Sequence, residues 1–233
     1  MASKWKKHLA SDLHSFRRAR GSQRPAKAIL ILTEGEVTEP VYFQALKAKL
    51  ALATVEIEVL PQGKGDPRRL AEAALEERAK RRKAARDGRL SYAEAADFDE
   101  MWIVFDSDVP LEHGRFHSGV SFAESQGVKC AHTTPCFEFW LLLHLAYTTA
   151  PMERFVDVEP RLSGALLTKY DKKSKDSAKL IPPLVDKLKT AMESAGRVRK
   201  AHESAGTGFP ANPSTEVDQL VISIQAAASP ANK

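Results

Sequence analysis

Cysteine is scarce in this chain: Cys130 and Cys136 are the only two among 233 residues. No His/Cys cluster accompanies them, so a zinc site built on thiols is not expected, and two free thiols suit a reducing compartment. Long apolar runs are missing too. None approaches the roughly 18 residues that a membrane-spanning helix needs, and the N-terminus is too charged for a secretory signal. A soluble, cytoplasmic protein is expected. There is no internal repeat and no long low-complexity segment. A strong charge of one sign is also lacking: the formal net charge is only +5. That is weak for a DNA-coating protein but compatible with a polyanionic partner.

What is present is ample apolar material, 43% of the chain, enough to build a core for one large domain or a domain with an appendage. The stretch that organises the rest is Trp102-Ile103-Val104-Phe105-Asp106-Ser107-Asp108. A short apolar run bounded by polar residues reads as a buried strand. In open α/β sheets, chemistry gathers at the carboxyl ends of such strands. Asp106 and Asp108 emerge together there. They are either two solvated loop acids or a pair that a hard cation, Mg²⁺ or Mn²⁺, holds together.

Residues 1 to 27 are basic, with Lys4, Lys6, Lys7, Arg17, Arg18, Arg20, Arg24 and Lys27 facing few acids. This arm is either a solubilising tail or a phosphate-backbone contact. Ala28 to Leu32 reads as a strand that ends in Thr33-Glu34-Gly35-Glu36-Val37-Thr38-Glu39-Pro40. A helix follows, with Thr38 as its expected N-cap and Pro40 near its start. Glu34 thus sits at a strand's carboxyl end, as Asp106 does. If the two strands are neighbours, Glu34, Asp106 and Asp108 converge. Val55 to Leu60 alternates apolar and acidic residues and reads as a strand nearer the sheet edge. Lys64, between two glycines, lies in a loop that lacks full P-loop spacing. Asp66 and Pro67 open a helix whose expected solvent face carries Arg78, Lys80, Arg81, Arg82, Lys83 and Arg86. That face is either merely solvated or tracks a nucleic-acid backbone.

After the central strand, His113 falls in a loop. A helix around Ser118 to Ser125 leads to a strand at Val128 to Ala131. A strongly apolar helix then begins near Thr134. Glu138 is out of place in it and needs a partner or a cation. His144 reads as structural. The order β-α-β-α-β-α-β-α predicts a mostly parallel sheet covered on both faces. Beyond residue 150 the chain reads as a helical appendage, with a basic loop containing Lys172, Lys173 and Lys175. A Pro/Gly/Asn loop follows from Gly206 to Thr215, and then a last helix.

A glutamate-glycine pair after the first strand and a DxD after a later one resemble the Toprim domain. The closer resemblance is to the RloB family. It rests on Leu32 to Pro40 with Tyr42-Phe43, on Trp102 to Asp108, and on Pro135 to His144. Lys169-Tyr170 with the lysines after it and Asn212 to Thr215 complete it. The resemblance implies a Toprim-like, Rossmann-like α/β domain over 28–150, with a basic arm before it and helices over 151–233. It implies Glu34, Asp106 and Asp108 as catalytic and Mg²⁺- or Mn²⁺-binding acids, with Glu138 as a further ligand. Glu36 and Glu39 belong to the family-specific surroundings. Lys64, Arg81, Arg82, Lys83, Lys172 and Lys173 are the candidate nucleic-acid contacts. The implied activity is metal-dependent cleavage of DNA or RNA in anti-phage defence, beside an AAA/ABC-type ATPase partner. A homo-oligomer is compatible with it. The rival reading is a non-catalytic regulatory subunit of the same kind of complex. One departure stands out: Glu39 lies five residues after Glu34, where the OLD-type nucleases carry a glutamate four residues on. Their second-metal arrangement therefore has no direct counterpart here.

Overall fold

In the computed structural model, residues 27–50, 55–62, 66–90, 94–172 and 174–228 are described. The basic arm before Lys27, together with Lys64 and Lys173, lies outside them. The chain forms β1 (Lys27–Thr33), α1 (Thr38–Leu50), β2 (Val55–Pro61), α2 (Pro67–Arg86), β3 (Glu100–Asp106), α3 (Asp108–Glu112), α4 (Phe116–Ser125) and β4 (Val128–Thr134). Next come α5 (Glu138–Leu143), α6 (Phe155–Leu166), α7 (Lys175–Ala178), a 3₁₀ turn (Pro182–Lys187), α8 (Leu188–Ser204), β5 (Ser214–Thr215) and α9 (Val217–Ala228).

The sheet order is β2-β1-β3-β4-β5. β1 pairs in parallel with β2 and β3, and β3 with β4, while β5 pairs antiparallel with β4. This is the expected α/β, Rossmann-like sheet. β2 lies at its edge, in keeping with its alternating pattern. The chain leaves β1 towards β2 on one side and returns to β3 on the other, so the order reverses between β1 and β3. A crevice at the carboxyl ends of the strands opens at such a reversal.

The apolar runs of β1 and β3 follow from burial on both faces. Ile29, Ile31, Trp102 and Val104 face one layer with Tyr42, Phe43, Trp140, Val158, Leu184, Val198 and Leu220. Ala28, Leu30, Leu32, Met101, Ile103 and Phe105 face the other, with Leu70, Ala71, Ala74 and Phe116. The C-terminal helices thus share the first layer with α1 and α5. Glu100 ties them to the sheet: it accepts from Ser223 of α9 at 2.5 Å, from Trp102 Nε1 at 2.9 Å, and from Lys129 at 3.1 Å. Among the described residues, no helix is long and apolar enough to cross a membrane.

Besides the apolar helix, which begins at Glu138 rather than near Thr134 because β4 runs on to Thr134, three local expectations need correction. The loop from Gly206 to Thr215 is not wholly irregular, because Ser214 and Thr215 add a fifth strand. Thr38 does not cap α1: its hydroxyl bonds Tyr170 Oη at 3.2 Å instead. By contrast Asp66 caps α2 as expected, accepting from the Arg69 N–H at 3.1 Å. The third correction concerns Arg81, which is not on the solvent face of α2. It is buried, pairs with Glu56 and with Glu58 at 2.9 Å, donates to the Ala95 carbonyl at 2.8 Å, and stacks over Phe98 at 4.4 Å. The carboxylates of edge strand β2 draw it inward, so its guanidinium is not available to a phosphate. Arg82 and Arg78 both pair with Asp97, whereas Lys83 and Arg86 are exposed.

Arg81→Ala leaves two carboxylates beneath α2 without their cation and is expected to cost about 3 kcal/mol in a urea titration. Arg82→Ala, at a half-exposed pair, should cost less than about 1 kcal/mol in the same titration.

Candidate functional site

The crevice between β1 and β3 is lined by acids, and backbone geometry puts them there. The Glu34 N–H donates to the Val104 carbonyl at 2.9 Å, which prolongs the β1–β3 ladder by one rung. The Glu34 carboxylate turns back and accepts from the Asp106 N–H at 3.2 Å. Asp106 in turn accepts from the Phe137 N–H at 2.8 Å, so the strand end and the entry to α5 are joined. That junction brings Asp106, Cys136 and Glu138 together, with one ligand atom from each within 4.8 Å of the others.

Glu39 completes the acidic set from α1. It is 5% exposed, and its carboxylate accepts from the Gly35 N–H at 3.1 Å. A Cβ on residue 35 would stand 1.9 Å from Glu39 Oε2, so any larger residue there would push the Glu39 carboxylate from its place. Glu138 is 2% exposed and accepts from Tyr170 Oη at 3.4 Å. Tyr170 bridges it to Thr38, which fixes the starts of α1 and α5 relative to each other. Behind this bridge, Tyr42 Oη meets His144 Nε2 at 3.1 Å, and His144 Nδ1 meets the Trp140 carbonyl at 2.9 Å. Burial pulls His144 down to about 4, so it is a neutral structural group, as expected.

The electrostatics follow from packing Glu34, Glu39, Asp106 and Glu138 into one crevice. Burial pushes Glu34 up to about 7, the Asp106 N–H bond opposes this, and Asp108 adds to it. Burial also raises Glu39, with Glu138 and Glu34 adding repulsion. Asp106 is held well above the usual carboxylate range by burial and by Glu39, Glu138 and Glu34. The Cys136 thiol is raised by burial and by Glu138 and Asp106. Lys172 faces this set. Burial opposes its charge, but Glu138 and Asp106 hold its ammonium above its ordinary value.

Such a set is stable as protons on carboxyls or as carboxylates around a cation. Its oxygens suit Mg²⁺ or Mn²⁺, and the sulfur of Cys136 adds a softer donor. The donor set therefore fits a divalent ion, with Asp106 and Glu138 as the natural holders and Cys136 beside them.

The predicted residues are not all brought together. Glu34, Asp106 and Glu138 converge. Asp108 begins α3 at the rim, where its carboxylate accepts from the Val109 N–H at 2.7 Å. It lines a neighbouring cavity of about 210 Å³ with Thr134, Arg154 and Asn212. Lys172 reaches the acids, Lys83 is remote in sequence and exposed on α2, and His113 is exposed. Cys136 was missed as a site residue because a thiol without companions in sequence looks inert. Its signal was its place two residues before the misfit Glu138. Tyr170 carried no local signal of its role, which arises only across the fold.

These features define a Rossmann-like α/β protein with an acidic crevice at the switch point of its sheet. The profile of a family described as RloB-like protein matches residues 29–224, and the chain belongs to that family. No curated protein and no solved structure matches it significantly.

Stability should report the crowded carboxyls. Glu34 is protonated in folded and unfolded chains alike below its ordinary value of 4.5, but the folded chain must ionise it against burial as pH rises through about 7. Asp106 and Glu39, also raised, act with the same sign. Metal-free protein in chelator is therefore expected to lose stability between about pH 5 and about pH 8. In thermal melts across that range, Glu34→Gln should flatten the slope.

Proposed function

We propose that this protein is a divalent-metal-dependent nuclease that hydrolyses phosphodiester bonds of DNA or RNA. The observation that carries this reading is the meeting of Glu34, Asp106 and Glu138 at the carboxyl ends of adjacent parallel strands, with Lys172 as the ammonium facing them. Asp106 and Glu138, with Cys136 beside them, are the residues that would hold Mg²⁺ or Mn²⁺. Such an ion, when bound, supplies Lewis-acid polarisation of the scissile phosphate.

The remaining work falls to side chains. Glu34, with its carboxyl near neutrality, takes a proton from the attacking water and becomes the general base. Asp106 orients it through the backbone N–H that holds the Glu34 carboxylate. Lys172 places positive charge where the leaving oxygen develops its negative charge. Lys83 and Arg86, exposed on α2, belong to the proposed backbone contacts, with Lys64 and Lys173. Arg81 is withdrawn from that role by its ion pairs. An anti-phage setting and control by an AAA/ABC-type ATPase are part of this proposal.

The test is a nuclease screen on single- and double-stranded DNA and RNA, with Mn²⁺ or Mg²⁺, with and without the neighbouring ATPase. Metal-dependent cleavage is expected. Asp106→Asn and Glu138→Gln should abolish it, and Glu34→Gln should slow it by about 10²- to 10⁴-fold. Lys172→Met should slow it by about 10²-fold. Cleavage that all four variants retain would sink the proposal. So would a metal-binding protein that cleaves nothing even with the ATPase present; that result would favour the regulatory subunit.

A second expectation concerns the ion itself. Bound cation removes the repulsion that burial creates, so Mn²⁺ should raise the melting temperature more at about pH 8 than at about pH 6. Glu138→Gln should reduce that gain at both values.

A further inference from the structure

A second cavity, of about 280 Å³, lies between α8 and the segment from Thr207 to Glu216. None of the acids of the crevice lines it. Its walls include Ala195, Val198 and Ala211, and the ring of Phe209, which is 58% exposed. His132 of β4 forms its polar element. It is 1% exposed, and neither ring nitrogen has a hydrogen-bond partner among the described residues. Nδ1 lies 3.2 Å from the Glu216 carboxylate without hydrogen-bond geometry. A buried imidazole left in this state is costly, and such a group needs an explanation.

The other polar groups of the lining narrow what would supply it. Arg199 is engaged by Asp218 and reaches the Thr215 carbonyl at 3.5 Å. His202 donates from Nε2 to the Pro213 carbonyl at 2.8 Å and meets Thr207 Oγ1 through Nδ1 at 3.3 Å. Asp218 already balances the charge of Arg199, so His132 and the carboxylates of Glu216 and Glu203 set the character of the pocket. Two carboxylates disfavour an anion. A metal is disfavoured as well: the described His, Cys, Asp and Glu side chains that could hold one gather at Asp106, Cys136 and Glu138, not here.

Carboxylate and imidazole together match a planar ligand whose edge carries N–H donors beside a ring-nitrogen acceptor. Phe209, in the lining, offers a ring to its face, with Phe116 packed behind. Phe209 meets His132 edge-on at 5.3 Å, and Phe116 lies 5.0 Å from His132 and 5.9 Å from Phe209. The volume suits a single ring system better than a drug-sized molecule.

We infer that this cavity binds an amino-bearing nitrogen heterocycle of nucleobase type, stacked on Phe209 and hydrogen-bonded by His132 and Glu216. This does not rest on the metal reading of the crevice. The pocket does adjoin it: Ser214 in the lining donates to Thr134 Oγ1 at 3.3 Å, and Thr134 and Asn212 line the cavity beside Asp108.

The same chemistry reaches the pocket as a free nucleoside or as a base of a single strand. Calorimetry on the full chain, in chelator so that no cleavage intervenes, separates them. Adenosine, guanosine and cytidine are titrated singly, and short single-stranded oligomers of the same bases are titrated in parallel. Saturable binding is expected in at least one arm, weakened about tenfold by Phe209→Ala and by Glu216→Gln, with melting temperatures unchanged. Nucleosides that bind as tightly as oligomers make the ligand a free one; binding by oligomers alone makes it a strand base. No binding in either arm, or binding that neither variant weakens, overturns the inference.

Discussion

Repulsion between carboxylates is the constraint on which the rest of this structure depends. Glu34, Glu39, Asp106 and Glu138 occupy one largely buried crevice, and Lys172 is the ammonium set against them. Left ionised, such a group drives its own strands and helices apart. Protons relieve the repulsion at low pH, and a bound divalent cation would relieve it at neutral pH. The fold holds the acids in place against that pressure through groups whose own bonds are satisfied. The Gly35 and Asp106 N–H groups hold Glu39 and Glu34, the Phe137 N–H holds Asp106, and Tyr170 holds Glu138.

The scaffold behind the crevice explains why these bonds are dependable. α1 and α5 each deliver an acid from the first turn, and their starts are tied through Thr38 and Tyr170. Beneath them Tyr42 packs edge-on against Phe43, Phe137 and Trp140 at 5.4 to 6.1 Å. Rings at such angles fix the orientation of both helices and add to their apolar burial. The C-terminal helices belong to the same layer, so a residue as late as Tyr170 or Lys172 reaches a site founded on the first strand. Distance along the chain is thus no guide to distance from the chemistry.

Part of this arrangement was legible in the amino-acid order. Strands β1 and β3 were legible as apolar runs because both faces of each are covered. The acids at their ends were legible because a parallel sheet presents strand ends to one crevice. Glu138 was legible as a charge in an apolar helix. What stayed hidden depends on contacts between distant segments. Helical period alone places Arg81 among its basic neighbours, yet Glu56 and Glu58 on β2 pull it inward. Cys136 gains meaning only from Asp106 and Glu138 beside it. Nothing near His132 in sequence announces an unpartnered imidazole, since its surroundings come from α4, α8 and the segment before α9.

The proposed cation site is tested by anomalous diffraction from crystals grown near neutral pH with Mn²⁺. One strong peak is expected, bonded to carboxylate oxygens of Asp106 and Glu138, about 2 to 2.3 Å away. A crevice that stays free of any peak at saturating Mn²⁺, with the Lys172 ammonium ion-paired directly to those carboxylates, would contradict it.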